Sequence, residues 1–288
     1  MNNPQEIKLV ECPRDAMQGI HHFIDTQLKA DYLNLLLQVG FDTLDFGSFV
    51  SAKAIPQLRD TRQVLELLDL SSTSTKLLAI VANLRGVEEA ALHPEINYLG
   101  FPFSISETFQ QRNTNSSIAA SLTTVAQMLE ICDRTNKTAV VYLSMGFGNP
   151  YGDEWNEEIV AQWADALVER GVKILSLADT TGVSTPEKIQ LIVPGLIKRF
   201  KGTEIGVHLH STPATRLEKI AAAFDAGCRR FDSALKGFGG CPMAADDLTG
   251  NLATEDLLSY FTGKGVNLNL DYDKWNQAME LSSKVFIS

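Results

Sequence analysis

Short runs of β-branched and apolar residues alternate along this chain with longer stretches whose apolar positions recur at helical spacing. Eight runs read as strands: Ile7 to Cys12, Phe41 to Gly47, Lys76 to Ala82, Ile96 to Phe103, Thr138 to Met145, Lys173 to Asp179, Glu204 to His210 and Arg229 to Leu235. Helical sequence fits between each pair, most clearly from Ser116 to Arg134, Trp155 to Arg170, Pro186 to Phe200 and Ala214 to Ala226, with Gly171 and Gly227 placed to end the second and fourth. Such alternation is what a parallel sheet built from βα units requires. Eight units within 288 residues favour a closed (β/α)8 TIM barrel, an α/β fold, over an open doubly wound sheet. No GxGxxG follows the first strand and no P-loop motif occurs, which counts against a nucleotide-binding Rossmann domain. The chain shows no linker, low-complexity run or repeat beyond the βα unit. Residues 1–288 therefore read as one barrel domain, the barrel over about 7–260 and a C-terminal helical extension packed on it over about 261–288.

Composition narrows the partners. Hydrophobic residues at 44% and charged residues at 21% are the balance of a folded globular protein with a large core. With 35 acidic residues against 25 Lys and Arg, the net charge of -10 excludes holding nucleic acid by general phosphate neutralisation. An anionic ligand needs a local basic or metal site. The four cysteines have no CxxC spacing and are too sparse for a secreted disulfide scaffold, so a reducing compartment is expected. Cys12, Cys132 and Cys228 read as buried thiols. The N-terminal residues lack a signal core or an Arg-rich transit segment. No apolar run reaches the roughly 18 residues of a membrane span. A cytoplasmic protein with no membrane partner is expected, and the acidic surface is compatible with a soluble assembly such as a homodimer.

In such barrels the active site lies at the C-terminal ends of the strands. The first strand runs into Cys12-Pro13-Arg14-Asp15, with Gln18 one turn on, and the second carries Asp45 and is followed by Ser48. The sixth contains Ser176 and ends in Asp179, the seventh ends in His208-Leu209-His210, and the loop after the eighth holds Cys241, Asn251 and Glu255. Alternate strand residues project to one side, so Gly206, His208 and His210 point inward while Ile205, Val207 and Leu209 face the helices. Two imidazoles at a barrel mouth hold a divalent cation if oxygens complete the shell. Closure puts strand 1 roughly 10 Å from strand 7, at about 4.8 Å per strand, so Asp15 reaches the same point and Asn251 can add an amide oxygen. The competing readings are plain ones. The histidines could be hydrogen-bonded members of a polar core layer, Arg14 and Asp15 a surface ion pair, and Cys241 an incidental loop residue. Asn251 and Glu255 could simply start a helix, Asn251 as its N-cap.

These motifs together resemble hydroxymethylglutaryl-CoA lyase, of the metal-dependent lyase barrels that also include isopropylmalate synthase and 4-hydroxy-2-oxovalerate aldolase. The likeness is carried by VECPRDAMQ (Val10 to Gln18), GSFVS (Gly47 to Ser51), SLADTTGV (Ser176 to Val183), the His208–His210 pair, GFGGCP (Gly237 to Pro242) and GNLATED (Gly250 to Asp256). The resemblance implies Asp15, His208, His210 and Asn251 as ligands of Mg²⁺ or Mn²⁺, Arg14 as the group that polarises an acyl-CoA thioester carbonyl, and Cys241 as proton donor. Asp179 or His208 takes the hydroxyl proton, with Gln18, Asp45, Ser48, Ser176 and Glu255 in supporting positions. The implied reaction cleaves 3-hydroxy-3-methylglutaryl-CoA, or a close 3-alkyl analogue, to acetyl-CoA and a β-keto acid. The alternatives are an aldolase or Claisen-type synthase of the same barrel group and a metal- and acyl-CoA-binding barrel without turnover. Ser211 stands where the family has Asp after the second His, Asp45 where it has Glu, and Lys236 where it has a smaller residue; a solvent-facing Lys236 is expected over one that meets a CoA phosphate.

Overall fold

In the computed structural model, which describes residues 6–240 and 249–286, eight parallel strands close into a barrel in sequence order. They are β1 (Lys8–Glu11), β2 (Thr43–Ser48), β3 (Lys76–Ile80), β4 (Ile96–Ser104), β5 (Thr138–Ser144), β6 (Ile174–Asp179), β7 (Glu204–Leu209) and β8 (Arg230–Ser233). All eight expected strands form, and their ends differ by a residue or two. β1 stops at Glu11 because Pro13, which has no N–H to give a ladder, opens the short helix Pro13–Gln18. The ring closes where β8 pairs with β1, Val10 beside Asp232 and Glu11 beside Ser233.

Helices cover the barrel's outer surface, and their starts are set by side-chain caps. Ser117, Asn156 and Thr185 each accept a backbone N–H in the first turn of Ile118–Thr135, Glu157–Glu169 and Pro186–Arg199. The main core lies between strands and helices, where outward residues such as Leu77, Val141, Leu175 and Val207 are fully or almost fully buried. Each large aliphatic side chain so buried contributes about 1.5–3 kcal/mol. Inside the barrel a smaller apolar cluster joins Leu78, Ile80, Val140, Tyr142, Ile174 and Ala178. The other half of the interior, toward β7, β8 and β1, is polar. Arg230 lies there, buried and ion-paired to Glu204 at 3.2 Å, with its aliphatic stem against Gly206, where a Cβ would meet three of its carbons at 3.0–3.2 Å.

The expected C-terminal boundary near residue 261 falls inside a helix. Thr254–Gly263 runs through it, and a separate helix, Tyr272–Val285, then packs on Thr26–Val39, with edge-to-face ring contacts between Tyr32 and Phe286 and between Phe41 and Trp275. Among the described residues no helix is long and apolar enough to cross a membrane, and the three described cysteines are free and buried.

Both ends of the last loop are tied to β1 through Glu11. The Leu235 N–H donates to one carboxyl oxygen at 2.8 Å, and the Thr254 hydroxyl donates to the other at 2.6 Å. Burial raises the Glu11 pKa from 4.5 to about 8, against the pull of these hydrogen bonds. Between those two values the folded chain holds a proton that the unfolded chain has lost, so stability falls as pH rises, by at most about 1.4 kcal/mol per pH unit. Glu11→Gln, which keeps the shape without the proton, should lose this component of the decline. Denaturant unfolding between about pH 5 and pH 8 checks it, and parallel stability curves for the two proteins would refute it.

Candidate active site

The short helix after β1 delivers Arg14 and Asp15 to the C-terminal mouth of the barrel, both buried. Arg14 is clamped by Asp45 on β2, with Nε 3.0 Å from Oδ2 and 3.2 Å from Oδ1, and Nη2 2.6 Å from Oδ2. Its remaining nitrogen, Nη1, donates to Asp15 Oδ1 at 3.0 Å and to Gln18 Oε1 at 2.9 Å, while Gln18 Nε2 donates to Asp15 Oδ1 at 2.8 Å. A planar guanidinium held on two sides has little rotational freedom, so its charge is aimed at one place. Burial pushes the Asp15 carboxyl up, but Arg14, His208, His210 and the Asn251 amide outweigh it and hold the pKa at about 2. Asp15 is therefore an anion at any ordinary pH.

Across the mouth, β7 brings His208 in and His210 follows directly after it. The two Nε2 atoms lie 3.3 Å apart, and an Asp15 carboxylate oxygen lies within 4.8 Å of a nitrogen of each ring. Burial and the neighbouring His208 lower the His210 pKa to about 4, which keeps its ring neutral and its lone pair available. His208 Nδ1 faces Asp232 Oδ2 on β8 at 3.2 Å, a carboxylate that fixes the ring so that Nε2 points to the mouth. Asn251 gives its amide nitrogen to Asp15 Oδ2 at 2.7 Å and to the Phe238 carbonyl at 2.8 Å, leaving Oδ1 as its free oxygen. Gly239 makes this approach feasible: a Cβ there would stand 2.5 Å from the Asn251 amide nitrogen, and its φ is +105°. Two convergent imidazoles, a buried carboxylate and an amide oxygen form a donor set that fits a divalent cation.

A cleft opens over these groups, with Arg14, Asp15, Gln18, His208 and His210 among its polar lining. Val50, Ile80, Pro102, Phe109 and Tyr142 supply its apolar lining, the Tyr142 ring edge-to-face with His208 at 5.7 Å. Asp45 stands behind Arg14. The structure does not bring Asp179 to the cleft: it accepts from the Ser184 N–H and hydroxyl and is ion-paired with buried Lys219 at 3.0 Å. Lys219 in turn donates to the His210 carbonyl at 2.8 Å, so Asp179, expected as one of two proton acceptors, lies outside the cleft lining and is tied to the His210 segment. Ser48 accepts the Val50 N–H and so shapes the β2 loop, while Ser176 is buried deeper in the barrel. Glu255 accepts the Lys236 N–H, and Lys236 reaches Ser283 at 2.9 Å. Asn251 is not the cap of the following helix, whose N-cap position is Ala253. Ser211 is buried, with its N–H on the Gly250 carbonyl at 2.8 Å. Cys241 lies outside the described residues. Sequence reasoning missed Asp232, Lys219 and Tyr142. The alternation that put His208 inward, applied to β6, puts Asp179 outward beside Leu175 and Leu177, and applied to β8 puts Asp232 inward. No local signal points to Lys219, which arrives from a helix.

The HMGL-like profile matches residues 7–281. The chain belongs to the HMGL-like family. It is 34% identical over 275 residues to hydroxymethylglutaryl-CoA lyase YngG of Bacillus subtilis, covering 95% of this chain and 91% of that protein. The cytoplasmic 3-hydroxy-3-methylglutaryl-CoA lyase of Rattus norvegicus is 31% identical over 98% of this chain and 81% of its own length. Among solved structures, an HMG-CoA lyase from Acinetobacter baumannii in complex with coenzyme A and 3-methylmalate superposes with a TM-score of 0.90 at 28% identity, over 99% of this chain and 92% of that one. The family's closed barrel is thus the fold of this chain, in agreement with the strand count read from the sequence.

Removing a donor from this family site should leave the barrel folded and weaken the cation. Asp15→Asn and His210→Ala are each expected to lower Mn²⁺ affinity by at least about 10-fold with little change in melting temperature. Mn²⁺ titration followed by electron paramagnetic resonance reads this, and unchanged affinity in both variants would make the cluster a polar core layer.

Proposed function

We propose that this chain is a divalent-metal-dependent carbon–carbon lyase that cleaves 3-hydroxy-3-methylglutaryl-CoA, or a close 3-alkyl analogue, to acetyl-CoA and a β-keto acid. The observation that carries the reading is the convergence of the clamped Arg14 guanidinium and the Asp15–His208–His210 cluster on one cleft. Membership of a family whose named relatives are HMG-CoA lyases supports the substrate class. The three free thiols support a reducing, cytoplasmic location.

A retro-Claisen cleavage removes the proton of a tertiary hydroxyl, forms the new ketone as the C2–C3 bond breaks, and leaves the bond's electron pair on the thioester enolate. Asp15, His208, His210 and Asn251 would hold a divalent cation, Mg²⁺ or Mn²⁺, which would supply Lewis acidity toward that hydroxyl. Of the two candidate proton acceptors only His208 faces the cleft. With Nδ1 given to Asp232, its Nε2 serves as cation ligand or as proton acceptor in turn, never both at once. Arg14, already oriented by Asp45, offsets the negative charge that develops on the enolate oxygen, and preorganisation of this kind is worth about 3 kcal/mol. Cys241 then returns a proton to the enolate carbon, since an ordinary thiol with a pKa of about 8.5 is mostly protonated at neutral pH. The apolar wall excludes water from the carbanionic centre.

Purified protein with Mg²⁺ or Mn²⁺ should release acetyl-CoA from the thioester. Arg14→Met should lose about 10²- to 10³-fold in kcat while retaining Mn²⁺ binding, and Cys241→Ser should lose at least about 10²-fold. No acetyl-CoA from a panel of 3-hydroxy-3-alkylglutaryl thioesters would end the lyase reading. Turnover instead with pyruvate and aldehydes, or with acetyl-CoA and 2-oxo acids, would identify an aldolase or synthase.

A further inference from the structure

His208 has two faces, an outer one turned to the cleft and an inner one turned to Asp232. On its inner side, Cys12, His208 and Asp232 come from three adjacent lines of the barrel wall, β1, β8 and β7. Asp232 is in register with Val10 on one side and with His208 on the other. Cys12 continues β1, its N–H on the Ser233 carbonyl at 2.8 Å, and two residues beyond Val10 it projects to the same inner face. The three side chains offer a sulfur, a nitrogen and an oxygen within 4.8 Å of one another, and all three are buried. Asp232 is 2% exposed; its Oδ2 meets His208 Nδ1, while its Oδ1 is buried with no hydrogen-bond partner. Orientation of His208 accounts for Oδ2 and leaves Oδ1 without a partner, while the nearby Cys12 thiol has only the weak contact of its sulfur with the Val10 carbonyl at 3.7 Å. A buried carboxylate oxygen with an unsatisfied lone pair is costly, and a cation would satisfy it.

We propose that Cys12, His208 and Asp232 form a second cation site, on the inner side of the His208 ring, that takes a borderline-soft divalent ion such as Zn²⁺ or Co²⁺. The donor types discriminate. Thiolate and imidazole suit these ions, whereas Mg²⁺ prefers oxygen and has no use for a thiolate. Thiolate, neutral imidazole and carboxylate exactly offset two positive charges, so the loaded site is electrically neutral inside the barrel. On loading, the Cys12 thiol proton passes to the buffer, and the proton of His208 Nδ1 moves to Nε2 when the outer side is free. The closing experiment does not depend on lyase activity.

Co²⁺ is titrated into the metal-free full-length protein, and the thiolate-to-cobalt charge-transfer absorption is followed in the near ultraviolet. The expected result is a band that rises to saturation, persists in Cys241→Ser and disappears in Cys12→Ser. Asp232→Asn should keep the fold, checked by circular dichroism, and lower by at least about 10-fold the Co²⁺ affinity read from the thiolate band; this variant carries the test if Cys12→Ser does not fold. Absence of the band in the native protein, its survival in Cys12→Ser, its loss in Cys241→Ser, or unchanged affinity in Asp232→Asn would each overturn the proposal.

Discussion

Pairing of β8 with β1 is the contact on which the rest of this molecule depends. It sets Val10 beside Asp232, and from that register Arg14 and Asp15 are carried over the barrel mouth toward His208 and His210, while Cys12 stays inside the barrel beside Asp232. The joined segments lie at opposite ends of the chain. Closing so long a loop costs entropy that grows only slowly with length, and burial along the eight strands more than offsets it. Glu11 reinforces the same seam by bonding Leu235 and Thr254, so the end of the first strand holds both ends of the last loop.

Charge inside the barrel is divided between two halves. Toward β3, β5 and β6 the interior is aliphatic and aromatic; toward β7, β8 and β1 it holds Arg230, Asp232 and the histidines. Buried cations around that half have carboxylate partners: Arg14 has Asp45 and Asp15, Arg230 has Glu204, and on the outer face of the sheet Lys219 has Asp179. This asymmetry gives a single cleft both an apolar and a charged lining, the combination that a thioester with a polar acyl head and reactive carbon needs.

The order of elements, the barrel class and the strand-end position of Arg14, Asp15, His208 and His210 were legible along the chain, because hydrophobic period and turn residues are local properties. The departures have physical causes as well. β1 ends early because proline cannot extend a ladder, and the helix Thr254–Gly263 begins after Ala253 and not at Asn251, whose side chain is turned to Asp15 and the Phe238 carbonyl by its amide nitrogen. Asp179 reads as catalytic from its motif, yet strand alternation turns it to the outer face, where Lys219 claims it.

What the sequence by itself determined is therefore the type of unit, its repetition, and the chemical types of residue at each strand end. Only the tertiary structure decided which of those side chains meet. The β8–β1 register, the clamp on Arg14, the support of His208 by Asp232 and the reach of Lys219 to Asp179 all join residues distant along the chain. A local pattern carries no information about the partner across a closed ring, since that partner is fixed by shear and closure of the whole barrel.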